Sequence, residues 1–396
     1  MSAVLQSVQP EQNLNSIELF AGAGGLGIGI SNAGFSTSAV VEWDHWCCET
    51  LRENQERGLP FVSGWDINNC DVRKLDYTCY EGKIALVTGG PPCQPFSMGG
   101  KHQGKNDDRD MFPAAVSVVK QTKPQAFIFE NVKGLTRPSF ASYFEYIKLQ
   151  LTFPSMVKRK GESWTDHLSR LEDQYTKGRY RGLKYNVVAR VVNAANYGIP
   201  QKRERVFLVG FRDDLGIEWH FPNAQYSKEA LLWSQVTGEY WERFEVPKKQ
   251  RLIPKEAERV RYQPESKPWR TVREAIGDLP DPEHHKRKSQ LWLNHKFQPG
   301  ARSYPGHTGS PLDEPAKTLK AGVHGVPGGE NMLRRPDGSV RYFTVRESAR
   351  LQTFPDEFIF HGSWSETMRQ LGNAVPVELA QIFAEDVYKH LRAVGA

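Results

Sequence analysis

From about residue 16 to residue 210 the chain alternates short apolar runs with longer stretches of helical spacing. The runs at 16–20, 37–41, 84–87, 126–129, 186–192 and 206–209 predict strands, with helices between them, as in a doubly wound α/β sheet. Residues 158–181 are dense in charge and predict an inserted surface helix or loop, to which no chemistry is assigned. After Phe221 the character changes to Trp, Pro, Lys and Glu with weak periodicity, which marks a second domain. Regular patterning returns near Thr344, with helices predicted at 347–351 and 376–391, the last amphipathic and closing the chain. The expected division is therefore 1–220 plus 340–396 for one domain and 221–339 for the other. No repeat or low-complexity tract interrupts this order.

A chain of 396 residues that is 39% hydrophobic and 25% charged has room for two domains and a sizeable core. No apolar stretch approaches a membrane span. Residues 1–13 have neither the basic start nor the apolar core of a leader, so a cytoplasmic address is expected. Five cysteines, an odd number without Cys-x-x-Cys spacing, argue against a disulfide framework or a structural zinc site and for reduced thiols. The net charge of +6 is uneven: residues 221–339 carry +5 and the remainder +1. A polyanionic partner and an ordinary solvated lysine surface both account for that segment.

Candidate chemistry lies at the ends of the predicted strands. In Gly89-Gly90-Pro91-Pro92-Cys93-Gln94 two prolines stiffen the backbone just before a cysteine, which suits a held nucleophile, although a buried cysteine also serves as a small hydrophobe. The glycine-rich turn from Phe20 through Gly22 and Gly24 to Gly27 lets a ligand approach the backbone, or simply packs tightly. Glu42 ends the second predicted strand, where a carboxylate can accept the two hydroxyls of a ribose, and Trp43 beside it can cover an adenine or belong to the core. Asp66-Ile67 pairs an acid with an apolar residue and would suit the amino edge and face of that ring. Glu130 follows the run 126–129, at the edge where open α/β sheets place ligands, or caps a helix. Alternation sets Arg203 and Arg205 on one face, able to grip phosphates or a carbonyl oxygen, or to form salt bridges at the sheet edge. The segment 370–376, containing Gly372-Asn373, is expected to open the last helix and to return its backbone to the pocket.

Taken in order, Phe-Ala-Gly-x-Gly-Gly, Pro-Pro-Cys-Gln, Glu-Asn-Val, Gln-x-Arg-x-Arg and Gly-Asn-x-Val closely resemble the DNA cytosine-5 methyltransferases of bacterial modification systems, from Ser16 to about Leu379. The stretch from Arg346 to Pro355 also looks like the one preceding the last motif there. Glu18 stands where that family often has aspartate, and keeps the charge. The resemblance implies a Rossmann-like S-adenosylmethionine-dependent sheet with a smaller target-recognition domain at 221–339, and an enzyme acting on double-stranded DNA.

It further implies roles. Carbon 5 of cytosine is a weak nucleophile, so Cys93 would first add to carbon 6, while Glu130 assists at ring nitrogen 3. Arg205 would hold the carbonyl oxygen, and Arg203 would support the active-site backbone or a phosphate. Phe20, Gly22, Gly24, Glu42, Trp43, Asp66, Ile67, Pro92 and Asn373 would surround S-adenosylmethionine, and no metal is expected. The base must leave the stack, so residues 97–111, with Gly99, Gly100 and Gly104, suit a closing loop on which Ser97 and Arg109 would touch DNA. A monomer is expected, with any cognate restriction endonuclease a separate protein. The rival readings are an RNA cytosine-5 methyltransferase of the same architecture and a non-catalytic DNA-binding protein; a NAD-dependent oxidoreductase explains the glycine turn alone.

Overall fold

The computed structural model describes residues 13–93, 110–321 and 331–395. Its centre is a seven-stranded sheet: β1 (Asn15–Leu19), β2 (Ser36–Glu42), β3 (Ile67–Asn69), β4 (Leu86–Gly89), β5 (Ala126–Val132), β6 (Tyr185–Asn193) and β7 (Glu204–Arg212). They lie in the order β3-β2-β1-β4-β5-β7-β6. The first five run parallel, and β7 is antiparallel to both β5 and β6. All six predicted runs are strands. The seventh, β3, reads Ile-Asn-Asn, and two amides in three residues carry no apolar run to betray it.

Period-two alternation builds two cores from the same strands. Leu86, Ile128, Phe207 and Val209 face α1 (Gly25–Asn32) and the closing helix Val377–Ala393, through Leu26, Ile30, Phe383 and Val387. Val87, Phe127, Phe129, Val206 and Leu208 face the other way, onto Val119 of α3 (Phe112–Thr122) and Ile147 and Leu151 of α4 (Ala141–Thr152). Between β2 and β3 runs α2 (His45–Glu56), capped by Asp44, whose side chain accepts from the Cys47 amide. The charged insertion folds as α5 (Trp164–Lys177).

Contacts cross the expected domain division at both ends. Phe221 packs on Phe383 in the main core. The antiparallel pair Met332–Arg334 and Val340–Tyr342 straddles the expected break at 339/340. Phe343 and Leu351 also join Val272, Ile276 and Leu319 in the smaller region's own core. The 370–376 segment differs as well: Gly372 and Asn373 end the helix Trp364–Asn373, and Ala374-Val375-Pro376 links it to the last one.

Gly27, in the first turn of α1, fits around the buried side chain of Glu18: a Cβ there would collide with Glu18 Oε2 and lie 2.8 Å from a Trp65 ring carbon. The longer acid at position 18 thus requires the glycine. Gly27→Ala should cost about 1–3 kcal/mol by overpacking, and Glu18→Asp placed on top of it should recover part of that loss. Denaturant unfolding of the two single variants and the double variant measures this coupling, and additive losses would refute it.

Candidate active site

The carboxyl ends of β1, β2, β4 and β5, with the residues that follow β3, enclose a cavity of about 620 Å³. That lies within the roughly 300–1,000 Å³ usual for small-molecule sites. Cys93, Glu130 and Arg205 line one part of it; Phe20, Gly22, Glu42, Trp43, Pro92 and Asn373 line the rest.

The pedestal predicted for Cys93 is built from three ties. Asn131 Nδ2 donates to the Pro91 carbonyl at 2.8 Å, the Met111 amide donates to the Pro92 carbonyl at 2.9 Å, and Cys93 itself forms an antiparallel bridge with Asp110. The thiol is buried, which pushes its pKa up, and the charge of Asp110 adds to the effect. Glu130 is the fifth residue of β5 and is buried. In the antiparallel register Arg205 lies opposite Val132, diagonal to Glu130, and its Nε comes within 2.8 Å of Glu130 Oε1. Burial raises the Glu130 pKa against the opposing pull of Arg205 and Arg203. A thiol and a carboxyl, both favoured in their protonated forms, therefore open into one cavity from neighbouring strands.

Arg203 does not share the position of Arg205. It is fully buried and absent from the cavity wall, with Nη1 donating to Leu319 O at 3.2 Å and Nη2 to Gly372 O and Ala374 O, both at 2.9 Å. A phosphate cannot reach it, so of the two roles expected for this residue only support of the backbone fits, and it does not touch the reacting groups.

In the other half, Glu42 accepts from the Gly22 amide through Oε2 at 2.8 Å and from the Asp44 amide through Oε1 at 2.7 Å. Both oxygens keep a lone pair for a diol. Trp43 is 76% exposed, a free ring face at the cavity mouth. Phe20 has a φ of 55° and Gly22 one of 56°, so the turn curls back and presents its backbone to the cavity. Gly24 takes its φ of 81° at the start of α1 without lining the cavity; a Cβ there would press on Leu51 and Trp65.

Asp66 and Ile67 also stand apart from the cavity, which Asp71 and Val72 line instead. The reason is the polarity of β3: Asp66 precedes the strand, whereas Asp71 and Val72 follow its carboxyl end, the edge that holds ligands. The same acid-plus-apolar pattern occurs twice within seven residues, and only the strand between them distinguishes the two. Arg73 pairs with Asp71 at 2.6 Å and holds its carboxyl below the usual range. Ser97 and Arg109 lie outside the described residues.

Glu18 also lines the cavity, and its Oε2 is buried beside Gly27 without a hydrogen-bond partner among the described residues. Burial raises its pKa to about 8, with the Gly27 amide opposing. Glu18, Glu42 and Asp71 with the open ring of Trp43 form a set suited to a nucleoside diol, an exocyclic amine and a cationic side chain. Such chemistry fits S-adenosylmethionine.

Comparison with known proteins agrees. The family described as C-5 cytosine-specific DNA methylase matches residues 14–153 and 174–389. The Type II methyltransferase M.PspPI of Psychrobacter sp. (strain TA137) is 32% identical over 397 residues, covering 98% of this chain and 82% of that protein. The Type II methyltransferase M.NgoMIV of Neisseria gonorrhoeae is 30% identical over 382 residues, covering 95% and 98%. Among solved structures, the S. pombe Dnmt2 methyltransferase superposes with a TM-score of 0.56 at 16% identity, covering 97% of this chain and all of that one, a likeness of fold. These matches do not favour the RNA or the non-catalytic alternative.

Glu18 binds its proton more tightly in the folded chain than the ordinary value of 4.5 allows, so its contribution to stability is complete below about pH 4.5 and is lost as pH rises through about 8. Glu18→Gln should flatten the fall in stability across that window. Urea midpoints taken through it, in wild type and variant, test this, and parallel profiles would refute it.

Proposed function

Because the chain belongs to the C-5 cytosine-specific DNA methylase family and is a DNA cytosine-5 methyltransferase that uses S-adenosylmethionine, we propose that Cys93 is its nucleophile and that Glu130 and Arg205 set the charge on the target ring. The observation that carries this reading is the convergence of the three side chains on one cavity from β4, β5 and β7. Cys93 gives its proton to water, its sulfur bonds to carbon 6 of an extruded cytosine, and the ring electrons move toward nitrogen 3. Glu130, whose proton is held more tightly because of burial, donates there and cancels the charge that addition creates, leaving carbon 5 as an enamine carbon. Arg205 fixes the Glu130 carboxyl and meets the ring's carbonyl oxygen. The cofactor supplies an electrophilic methyl group on a sulfonium. Water then takes the carbon 5 proton, the electrons of that bond form the carbon 5–carbon 6 double bond as the sulfur–carbon bond breaks, and nitrogen 3 returns its proton to Glu130.

Glu42 would take the ribose hydroxyls, Asp71 and Val72 the amino edge and face of the adenine, Trp43 its other face, and Glu18 the cationic methionine end. Phe20, Gly22, Pro92 and Asn373 would complete that wall. The smaller region, from after Phe221 to about residue 343, would read the target sequence. The relatives' designation as Type II methyltransferases supports a role in marking host DNA against a separate endonuclease. Five free cysteines support a cytoplasmic site of action, and among the described residues no helix is long and apolar enough to cross a membrane.

Base-resolution mapping of 5-methylcytosine in DNA from methylation-free cells expressing the chain should show one short modified motif, lost with Cys93→Ala. Glu130→Gln should lower kcat by about 10²–10⁴-fold with cofactor affinity unchanged by calorimetry. Unmodified DNA from cells holding folded, cofactor-binding wild type would overturn the reading. In the same calorimetric titration Asp71→Asn should weaken cofactor binding about tenfold, as loss of a charged hydrogen-bond acceptor does, and Asp66→Asn should leave it unchanged. The reverse pattern would restore Asp66 to the site.

A further inference from the structure

The family match breaks between residues 153 and 174, and the inserted chain there is anchored close to the nucleophile. It folds onto α4 by an aromatic cluster: Trp164, the first residue of α5, packs on Tyr143 and Tyr146 with ring centres 5.7 Å away in each case. At the other end Tyr175 packs on Phe153, just past the end of α4. The two helices therefore run parallel. Because α4 follows the carboxyl end of β5, the start of α5 lies at the same edge of the sheet as the active site. The link is direct: the Tyr143 hydroxyl donates to Asp110, which bridges to Cys93.

Just before α5 the chain reads Lys158-Arg159-Lys160, all three exposed. Their side chains form no ion pair or hydrogen bond among the described residues. Two acids of this segment are engaged elsewhere: Glu162 pairs with Arg170 at 2.9 Å, and Asp166, in the first turn of α5, accepts from the Ser163 hydroxyl at 2.6 Å. The backbone on either side is pinned. His167 Nε2 lies 2.6 Å from Met156 O, Arg170 Nη2 donates to Val157 O at 2.9 Å, and the Arg159 amide donates to Glu162 at 2.7 Å. Three uncompensated cations thus stand on a backbone already ordered, so binding an anion there carries little further entropic cost.

We propose that this insertion is an accessory phosphate clamp, in which Lys158, Arg159 and Lys160 contact the backbone of the duplex on the catalytic-domain side of the flipped base. It rests on the reading of the chain as a duplex-DNA methyltransferase. Contacts of this kind add affinity without sequence information and strengthen the salt dependence of binding. Arg179 and Arg181 provide the control, because they are exposed and also unpaired among the described residues but lie past the far end of α5.

Fluorescence anisotropy of a labelled duplex, titrated at several salt concentrations in the presence of S-adenosylhomocysteine, tests the clamp. The full-length triple variant Lys158→Gln/Arg159→Gln/Lys160→Gln should reduce the magnitude of the slope of log K against log salt by about 2 to 3, at about 0.9 per lost phosphate contact. It should bind at least about tenfold more weakly at low salt on the same account, with cofactor affinity unchanged. Arg179→Gln/Arg181→Gln should leave slope and affinity at wild-type values. An unchanged slope in the triple variant, or an equal drop in the control, overturns the proposal. Failure of wild type to bind any duplex would instead overturn the parent reading, and the clamp with it.

Discussion

The site depends on one buried charge. A fully buried guanidinium is costly unless its donors are met, and Arg203 engages both terminal nitrogens with backbone carbonyls from two segments more than a hundred residues away, at Leu319 and at Gly372 and Ala374. Around it Gln201 donates to Leu351 O, accepts from the Leu319 amide and meets Gln352, whose own amide donates to Leu371 O. This polar knot ties the edge of β7 to the smaller region and to the linker before the last helix. Asn373 reaches the cavity because Gly372 and Ala374 on either side of it are held by the same guanidinium. An arginine that touches neither base nor cofactor thereby closes the cavity with residues far apart in the chain.

Motifs whose chemistry is local were legible before any coordinates. Cys93 on its prolines, Glu130 on β5, and Glu42 beside the glycine turn each announce themselves within a few residues, because a strand end and a stiff or permissive turn suffice to place them. What escaped depended on tertiary context. Choosing between Asp66 and Asp71 required knowing that Ile67–Asn69 is a strand, and three residues with two amides carry no periodicity. Separating Arg203 from Arg205 required the two remote carbonyl-bearing segments, because alternation alone puts both on one face. Gly24 shares its left-handed backbone with Gly22, but its neighbours Leu51 and Trp65 come from elsewhere in the chain and turn it away from the ligand. The pairing of Met332–Arg334 with Val340–Tyr342 joins residues on either side of the change in composition near 339/340, which composition alone does not show.

The insertion shows the same division between local and distant causes. Its exposure followed from its charge, with helix and loop both open, but its position did not, because Trp164, Tyr175 and His167 look like scattered aromatics until α4 is set beside them. Once they are paired, the direction of α5 follows from that of α4, and that direction decides which end of a charged segment stands near Cys93.

The electrostatics of the cavity also explain why a reactive pair can be stored safely. Burial favours the thiol of Cys93 over its thiolate, and the Asp110 carboxylate nearby acts in the same direction. Burial likewise favours the neutral carboxyl of Glu130, even with Arg205 against it. A protonated thiol is a poor nucleophile, so in the free protein the machinery is present but unactivated. The same burial that disfavours the thiolate also disfavours the Glu130 carboxylate, so both groups hold their protons more tightly than they would in water. On the proposed mechanism the charge that reaches the ring would pass to Glu130 as it donates, and the new carboxylate would form with the Arg205 guanidinium already 2.8 Å away. On the proposed mechanism only a base presenting carbon 6 to Cys93 and nitrogen 3 to Glu130 together would engage both groups, so discrimination against smaller electrophiles would follow from the burial that disfavours the thiolate until such a base is in place.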